Sequence, residues 1–170
     1  MLLTAGRYRG PLYRALNPVY AREPLSGRGA ALYGGRFNPK GVETLYTALD
    51  PATALREANQ VGDLQPTTLV AYHADLGPIF DTRDDNALAS YRMTEPAIAD
   101  PGWRSAMLGG RPVVTQIFAQ ALIADDFCGL LVRSFAHGTT AANLNLVLWR
   151  WTGPQIRLDV IDDEDRLGRI

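Results

Sequence analysis

The sequence predicts an α+β fold in one domain, on three observations. A chain of 170 residues is long enough to bury one sizeable core. Short apolar runs rich in β-branched residues occur beside stretches whose apolar residues recur at helical spacing. No internal repeat and no linker divides the chain. The apolar and charged fractions, 46% and 21%, place it among ordinary soluble globular proteins.

The elements follow in order. "LYRAL" (12–16) predicts a first strand. Residues 17–43, rich in Gly, Pro, Asn and Arg, predict a long ordered loop. Loops of that length inside compact domains are generally functional or disordered. "TLYTA" (44–48) predicts a short strand. "DPATALREANQV" (50–61) is the clearest helix, with Asp50 as N-cap, Pro51 at the first helical position, and Leu55, Ala58 and Val61 as a narrow apolar stripe. "TTLVAYHAD" (67–75) has the content of a strand. Residues 76–112 read least clearly, with a helix around "NALASYRM". "VVTQIFAQALIA" (113–124) predicts a helix with Val114, Ile117, Phe118, Ala121 and Leu122 on one face. "CGLLVRS" (128–134), "LNLVLWRW" (144–151) and "IRLDVI" (156–161) complete the strands, and "IDDEDRLGRI" reads as a solvated tail.

No apolar run approaches the ~20 residues that span a bilayer, and "MLLTAGRYRG" lacks the apolar centre of a secretory signal. No membrane partner is expected. Cys128 is the lone cysteine and cannot form an internal disulfide. It reads as a core residue and fits a reducing cytoplasm. The net charge of −1 conceals an asymmetry. Residues 1–40 carry six arginines and Lys40 against Glu23, a balance of +6, which leaves −7 for the remainder. A locally basic segment in a near-neutral chain points to an anionic small ligand before a long nucleic acid, or to a basic surface with no partner.

The densest cluster of special residues is "YGGRFNPKG" (33–41), which holds two glycines, Arg36, an Asn-Pro pair and the chain's only lysine, Lys40. It is not a P-loop, because the lysine precedes the final glycine and Val42 follows. No G-x-G-x-x-G follows a strand, so a Rossmann site is unsupported. His73 and His137 lie far apart and one cysteine makes no zinc cluster, so no metal is expected. Ser134 and His137 invite a hydrolase pairing. No G-x-S-x-G elbow surrounds Ser134, and three residues along a strand seldom bring nucleophile and base together.

Five polar residues at the ends of short elements remain: Arg14, Arg36, Tyr46, Glu57 and Ser134. Taken singly, each has a structural reading. Glu57 falls beside Leu55 and Ala58, near the apolar face, where a partly buried carboxylate generally has a partner or a task.

"LYRAL … GRGAALYGGRFNPKGVETLYTALDPATALREA" resembles the N-terminal signature of RES-domain proteins. That signature has a strand arginine, a G-G-R-[W/F]-N-x-x-G loop, an L-Y strand and a helix carrying A-L-x-E. "TQIFAQALIADDFCGLLVRS" is similar to the family's T-Q … G-L-L-V-P-S segment, with Ser134 at the motif serine. The resemblance runs from about Leu12 to Asn145. Arg133 stands where the family commonly has proline, and "NLNLVLW" where many members read Asn-Pro.

The resemblance implies a split, mostly antiparallel β core flanked by helices, similar to ADP-ribosyltransferases. It implies a cytoplasmic toxin of a bacterial toxin–antitoxin module, paired with an Xre-like antitoxin. Such proteins consume NAD+, by transfer of ADP-ribose to a protein or by hydrolysis or phosphorolysis. The family's functional residues fall on Arg36, Tyr46, Glu57 and Ser134, with Arg14 as a second basic position. On that reading the guanidinium forks of Arg14 and Arg36 match a pyrophosphate. Gly34 and Gly35 admit the phosphates close to the backbone. Glu57 stabilises positive charge on the ribose. Tyr46 stacks on nicotinamide, Ser134 binds a ribose hydroxyl or the amide, and Phe37 packs beneath the loop. The alternatives are a non-catalytic module that binds a phosphate-bearing partner or the antitoxin, and an enzyme acting on another nucleotide.

Overall fold

The computed structural model describes residues 2–60 and 63–169. Strands β1 (Leu3–Thr4) and β2 (Arg7–Leu16) pair as a hairpin. A 3-10 turn at Pro18–Tyr20 and helix α1 (Arg28–Tyr33) lead to β3 (Leu45–Ala48). Then come α2 (Pro51–Ala58), β4 (Thr68–Leu76) and β5 (Ile79–Asp81). Helices α3 (Asp85–Ser90), α4 (Glu95–Ala99), α5 (Trp103–Leu108) and α6 (Val114–Ala124) follow. Strands β6 (Gly129–Arg133), β7 (Leu144–Leu148) and β8 (Arg157–Val160) close the fold.

The architecture is α+β. One sheet runs β5-β6-β7-β3-β2-β4-β8, with β1 against β2. Among the described residues its pairings are antiparallel except β5 with β6. The pairing is uneven. β2 and β4 match continuously from Tyr8↔Leu76 to Leu16↔Thr68, and β3 and β7 match from Leu45↔Leu148 to Ala48↔Asn145. β2 and β3 meet at a single position, Tyr13↔Ala48. The sheet is split there, as the resemblance implied, and α2 packs beside the split.

Alternation along the strands feeds two cores. Leu131, Leu144, Leu146 and Leu148 join Leu12, Leu45, Tyr72 and Leu76 on one face. Leu130, Val132 and Val147 face the other way and meet Phe80, Leu88, Ile98, Phe118 and Leu122 from the helices. Cys128 is fully buried in the first core, as expected, and burial pushes its thiol up to about 11.

Several elements depart from the sequence reading. β2 starts at Arg7, because Gly10-Pro11 hides the first half of the strand from a pattern reading. The expected loop 17–43 contains α1, whose glycine flanks, Gly27 and Gly34, look like loop. Asp50 caps α2 as predicted, its carboxylate accepting from the Thr53 N–H at 2.8 Å. The buried face of that helix is Thr53 and Ala54, however, and Ala58 is exposed. Val61 lies outside the described residues. On α6, Phe118 and Leu122 are buried, but Val114 and Ile117 are 56% and 55% exposed. Buried Thr115 and Gln116 take the inward positions because both bind the glycine loop. β7 stops at Leu148, and Trp149 turns away to bond the carbonyl of Phe37. The acidic tail is largely exposed, but Asp162 caps a 3-10 turn at Leu167–Arg169 and Leu167 packs against the core. No described helix is long and apolar enough to cross a membrane.

Candidate active site

The glycine loop is held from within by Asn38, which is fully buried. Its amide nitrogen donates to the carbonyls of Ala30 (2.8 Å), Pro39 (3.1 Å) and Val42 (3.2 Å). Its Oδ1 accepts from the Tyr46 hydroxyl at 2.7 Å, and that hydroxyl accepts from the Phe37 N–H at 3.1 Å. Three more side chains take the loop's carbonyls. Gln116 donates to Gly35 (2.8 Å), Thr115 to Arg36 (2.5 Å) and the Trp149 indole to Phe37 (2.9 Å). Buried polar groups must be paired, and here the pairing fixes the loop. Phe37 packs beneath it, 2% exposed.

The glycines answer to this packing. A Cβ at Gly35 would stand 2.6 Å from Asn38 Oδ1 and closer still to the Tyr46 hydroxyl. Gly34 has φ 74°, a left-handed conformation, and a Cβ there would stand 2.7 Å from Met107 Sδ. Both glycines also line the cleft above the loop.

Glu57 enters the same cleft from α2. That helix is pinned by its Asp50 cap and by the Asn143 amide, which donates to Thr53 Oγ1 at 3.0 Å. Glu57 Oε1 accepts from Ser134 Oγ and from Asn145 Nδ2, each at 2.5 Å, while the Gln60 amide donates to Oε2. Ser134 follows β6 and is 3% exposed. Its oxygen also accepts from the Ala136 N–H. The serine hydroxyl is thus turned to Glu57, and His137 is exposed. The geometry gives the Ser134–His137 pairing no support. Asn145 Oδ1 is buried and has no hydrogen-bond partner among the described residues, an arrangement that costs about 1–3 kcal/mol.

Arg36 lines the same cleft from the glycine loop. Its Nη1 donates to the carbonyls of Ile98 (2.9 Å) and Asp100 (2.8 Å) at the end of α4. Its guanidinium lies 4.5 Å from the ring centre of Phe135 and 5.7 Å from that of Trp103. Burial lowers its pKa, the charges of Glu57 and Asp100 oppose that shift, and Arg104 adds to it. Arg14 Nη1 donates to the carbonyl of Pro24 at 2.8 Å, which also accepts from the Tyr72 hydroxyl. Arg104 sits 5.1 Å from the Trp103 ring centre. Among the described residues Arg14, Arg36 and Arg104 have no carboxylate oxygen within 4.0 Å. Arg133 Nε lies 2.9 Å from Glu95 Oε1, too poorly aligned for a hydrogen bond.

These side chains converge on a cleft of about 370 Å³ at the split between β2 and β3, within the ~300–1,000 Å³ of small-molecule sites. Glu57 is the only acid lining it among the described residues, against Arg14, Arg36, Arg104 and Arg133. Tyr46, 37% exposed, presents its ring to the cleft, and burial raises the pKa of its hydroxyl. Six of the seven residues singled out in the sequence, Arg14, Gly34, Gly35, Arg36, Tyr46 and Glu57, line one space, and the seventh, Ser134, touches it through Glu57. Lys40 is exposed and off the cleft. The sequence reading missed Asn145, Trp103, Arg104 and Phe135. Trp103 and Arg104 come from the stretch without readable periodicity, and Asn145 stood out only as a departure from the family pattern. Among the described residues no three His, Cys, Asp or Glu side chains gather as a metal site.

Comparison with known proteins places these features. A family model described as "RES domain" matches residues 11–169. No curated protein matches the chain. Among solved structures, a chain of the M. tuberculosis MbcT-MbcA toxin-antitoxin complex is similar, with 20% identity and a TM-score of 0.62. The match covers 92% of this chain and 83% of that one, and speaks for the fold.

Proposed function

The chain belongs to the RES domain family, and on that premise we propose that it is the toxin of a toxin–antitoxin pair that binds NAD+ and cleaves its nicotinamide–ribose bond. The observation that carries this reading is the cleft itself: one carboxylate, with Ser134 and Asn145 donating to its Oε1, shares it with Arg14, Arg36 and Arg104, three guanidiniums with no carboxylate oxygen within 4.0 Å among the described residues. A pyrophosphate supplies the missing negative charge, and bidentate arginine contacts suit it. Arg36 commits only Nη1 to the protein, which leaves its other N–H groups for a phosphate. The ring of Tyr46 offers a stacking surface for nicotinamide or adenine, while Trp103 and Phe135 carry the Arg36 guanidinium.

In the proposed reaction the bond between ribose C1′ and the nicotinamide nitrogen breaks, and its electron pair leaves with nicotinamide. The leaving group departs neutral, so one carboxylate suffices where a glycosidase uses two. Positive charge builds on the ribose, and Glu57 stabilises it. An oxygen nucleophile bonds to C1′ and releases its proton to solvent. Protein side chain, phosphate and water all fit that role. The partner is an antitoxin of Xre-like type and the compartment is the cytoplasm; the likeness to a chain of a toxin-antitoxin complex supports the pairing.

The test incubates the purified protein with NAD+ and follows free nicotinamide. Mass analysis of the ADP-ribose product, with and without phosphate and cell lysate, identifies the acceptor. Release of nicotinamide that stops in Glu57→Gln is the expected result. No release from the unaltered protein would favour the non-catalytic module, and release from another nucleotide would reassign the substrate.

A further inference from the structure

We infer that Asn145 is a positioning residue for Glu57, which holds the carboxylate in the one orientation that serves the ribose. The inference rests on the reading of Glu57 given above and assigns a role to a residue that the family signature left out.

Three observations carry it. Asn145 Nδ2 lies 2.5 Å from Glu57 Oε1, the oxygen that also receives the Ser134 hydroxyl. Two donors hold Oε1 in place, and the amide of exposed Gln60 donates to Oε2. The second observation is the orphaned Asn145 Oδ1, buried without a partner among the described residues. The amide cannot be turned to relieve it, because Oδ1 would then face a carboxylate oxygen at hydrogen-bond distance. A buried acceptor left unpaired in this way marks an orientation dictated by the other end of the amide. Third, the backbone of Asn145 is fixed by both neighbours of β7, opposite Ala48 on β3 and Val132 on β6. The donor therefore comes from rigid sheet, while α2 carries the group it positions.

The surroundings make a charge test sharp. Around Glu57 the cleft offers Tyr13 and Arg14 from β2, Tyr46 from β3, Arg36 from the glycine loop, Arg104 from α5 and Arg133 from β6. On its own helix Arg56 is bonded to the carbonyl of Gly138, and His137 on that loop is exposed. No second acid lines the cleft among the described residues. Asn145→Asp keeps the shape of the side chain and places a second carboxylate against Glu57, so the pair shares a proton and titrates upward.

The experiment uses the full chain and two readouts. With NAD+ as substrate, Asn145→Ala lowers kcat about 10–100-fold, as loss of orientation does, while KM changes less than about threefold. Asn145→Asp moves the acid limb of the kcat/KM–pH profile up by about one unit or more. Independently of turnover, the carboxyl carbon of Glu57, followed by NMR in glutamate-labelled protein, titrates at higher pH in both variants. Thermal melts confirm that each variant is folded, and Asn145→Asp covers the case in which the alanine variant is not. An unmoved Glu57 titration, or a wild-type kcat in folded Asn145→Ala, overturns the inference. If the unaltered protein turns over no NAD+, the proposed reaction fails alone, and the titration still decides the role of Asn145.

Discussion

Individual side chains divide between those the sequence announces and those only the fold assembles. Arg36, Tyr46 and Glu57 were legible because each sits in a short motif with unusual neighbours. Asn145 and Arg104 were not, because an asparagine in an apolar strand and an arginine after a tryptophan carry no local signal. The partner of Asn145 lies 88 residues away, and Arg104 joins the cleft only through the fold. At this scale two outcomes are expected. Glu57→Ala lowers NAD+ cleavage about 100–1,000-fold, the cost of removing a group that stabilises transition-state charge, in a variant that still melts cooperatively; near-normal nicotinamide release from the folded variant would contradict it. Arg36→Ala weakens NAD+ affinity in isothermal titration, since the phosphate proposed as its partner is present in ground and transition states alike. The structure adds a second effect. Arg36 also ties down the carbonyls of Ile98 and Asp100, so amide exchange at 98–104 should quicken in the same variant, and unchanged exchange would leave Arg36 as a ligand contact only.

Helices and strands were read well where local chemistry specifies them and poorly where a neighbour decides. The Asp50–Pro51 start of α2 is a purely local signal, and it held. The inward face of α6 was misread at Val114 and Ile117, because Thr115 and Gln116 are drawn inside by the loop they bind, which no periodicity encodes. Of the short helices only α3 was read, at "NALASYRM"; α4 and α5 offer too few turns for a pattern to register. Two stability predictions belong here. Asp50→Ala costs about 0.5–2 kcal/mol in urea unfolding, the usual cost of a lost N-cap. Tyr46→Phe strips the hydroxyl from between Phe37 and Asn38 and leaves the Phe37 N–H and the Asn38 Oδ1 unpaired, at about 1–3 kcal/mol or more. Unfolding midpoints that match the wild type would refute either.

For the molecule as a whole, carboxylates set the behaviour in acid. Hydrogen bonds from Arg83 hold the Asp81 carboxyl below its ordinary range. Burial pushes Asp50 up, but hydrogen bonds from Thr53 outweigh it and the net shift is down. Bonds from Arg7 lower Asp75, a half-buried residue. All three bind protons more weakly folded than unfolded. They therefore add stability above the unfolded carboxylate value of about 3.9, and it is lost as pH falls through the lower folded values. The urea midpoint should decline from pH 5 to pH 3, and a flat profile over that window would count against these pairings.

The single rung at Tyr13↔Ala48 has a consequence for how the parts move together. Every other pairing among the described strands holds at two positions or more, but here two well-knit panels share one stitch. A dinucleotide lodged across that seam would act as a clasp, with one end on Arg14 of the first panel and the other on Tyr46 of the second. Ligand at 100 times its dissociation constant stabilises a fold by about 2.7 kcal/mol. In this chain that gain should appear as tighter coupling between the panels, so that they melt as one body when occupied.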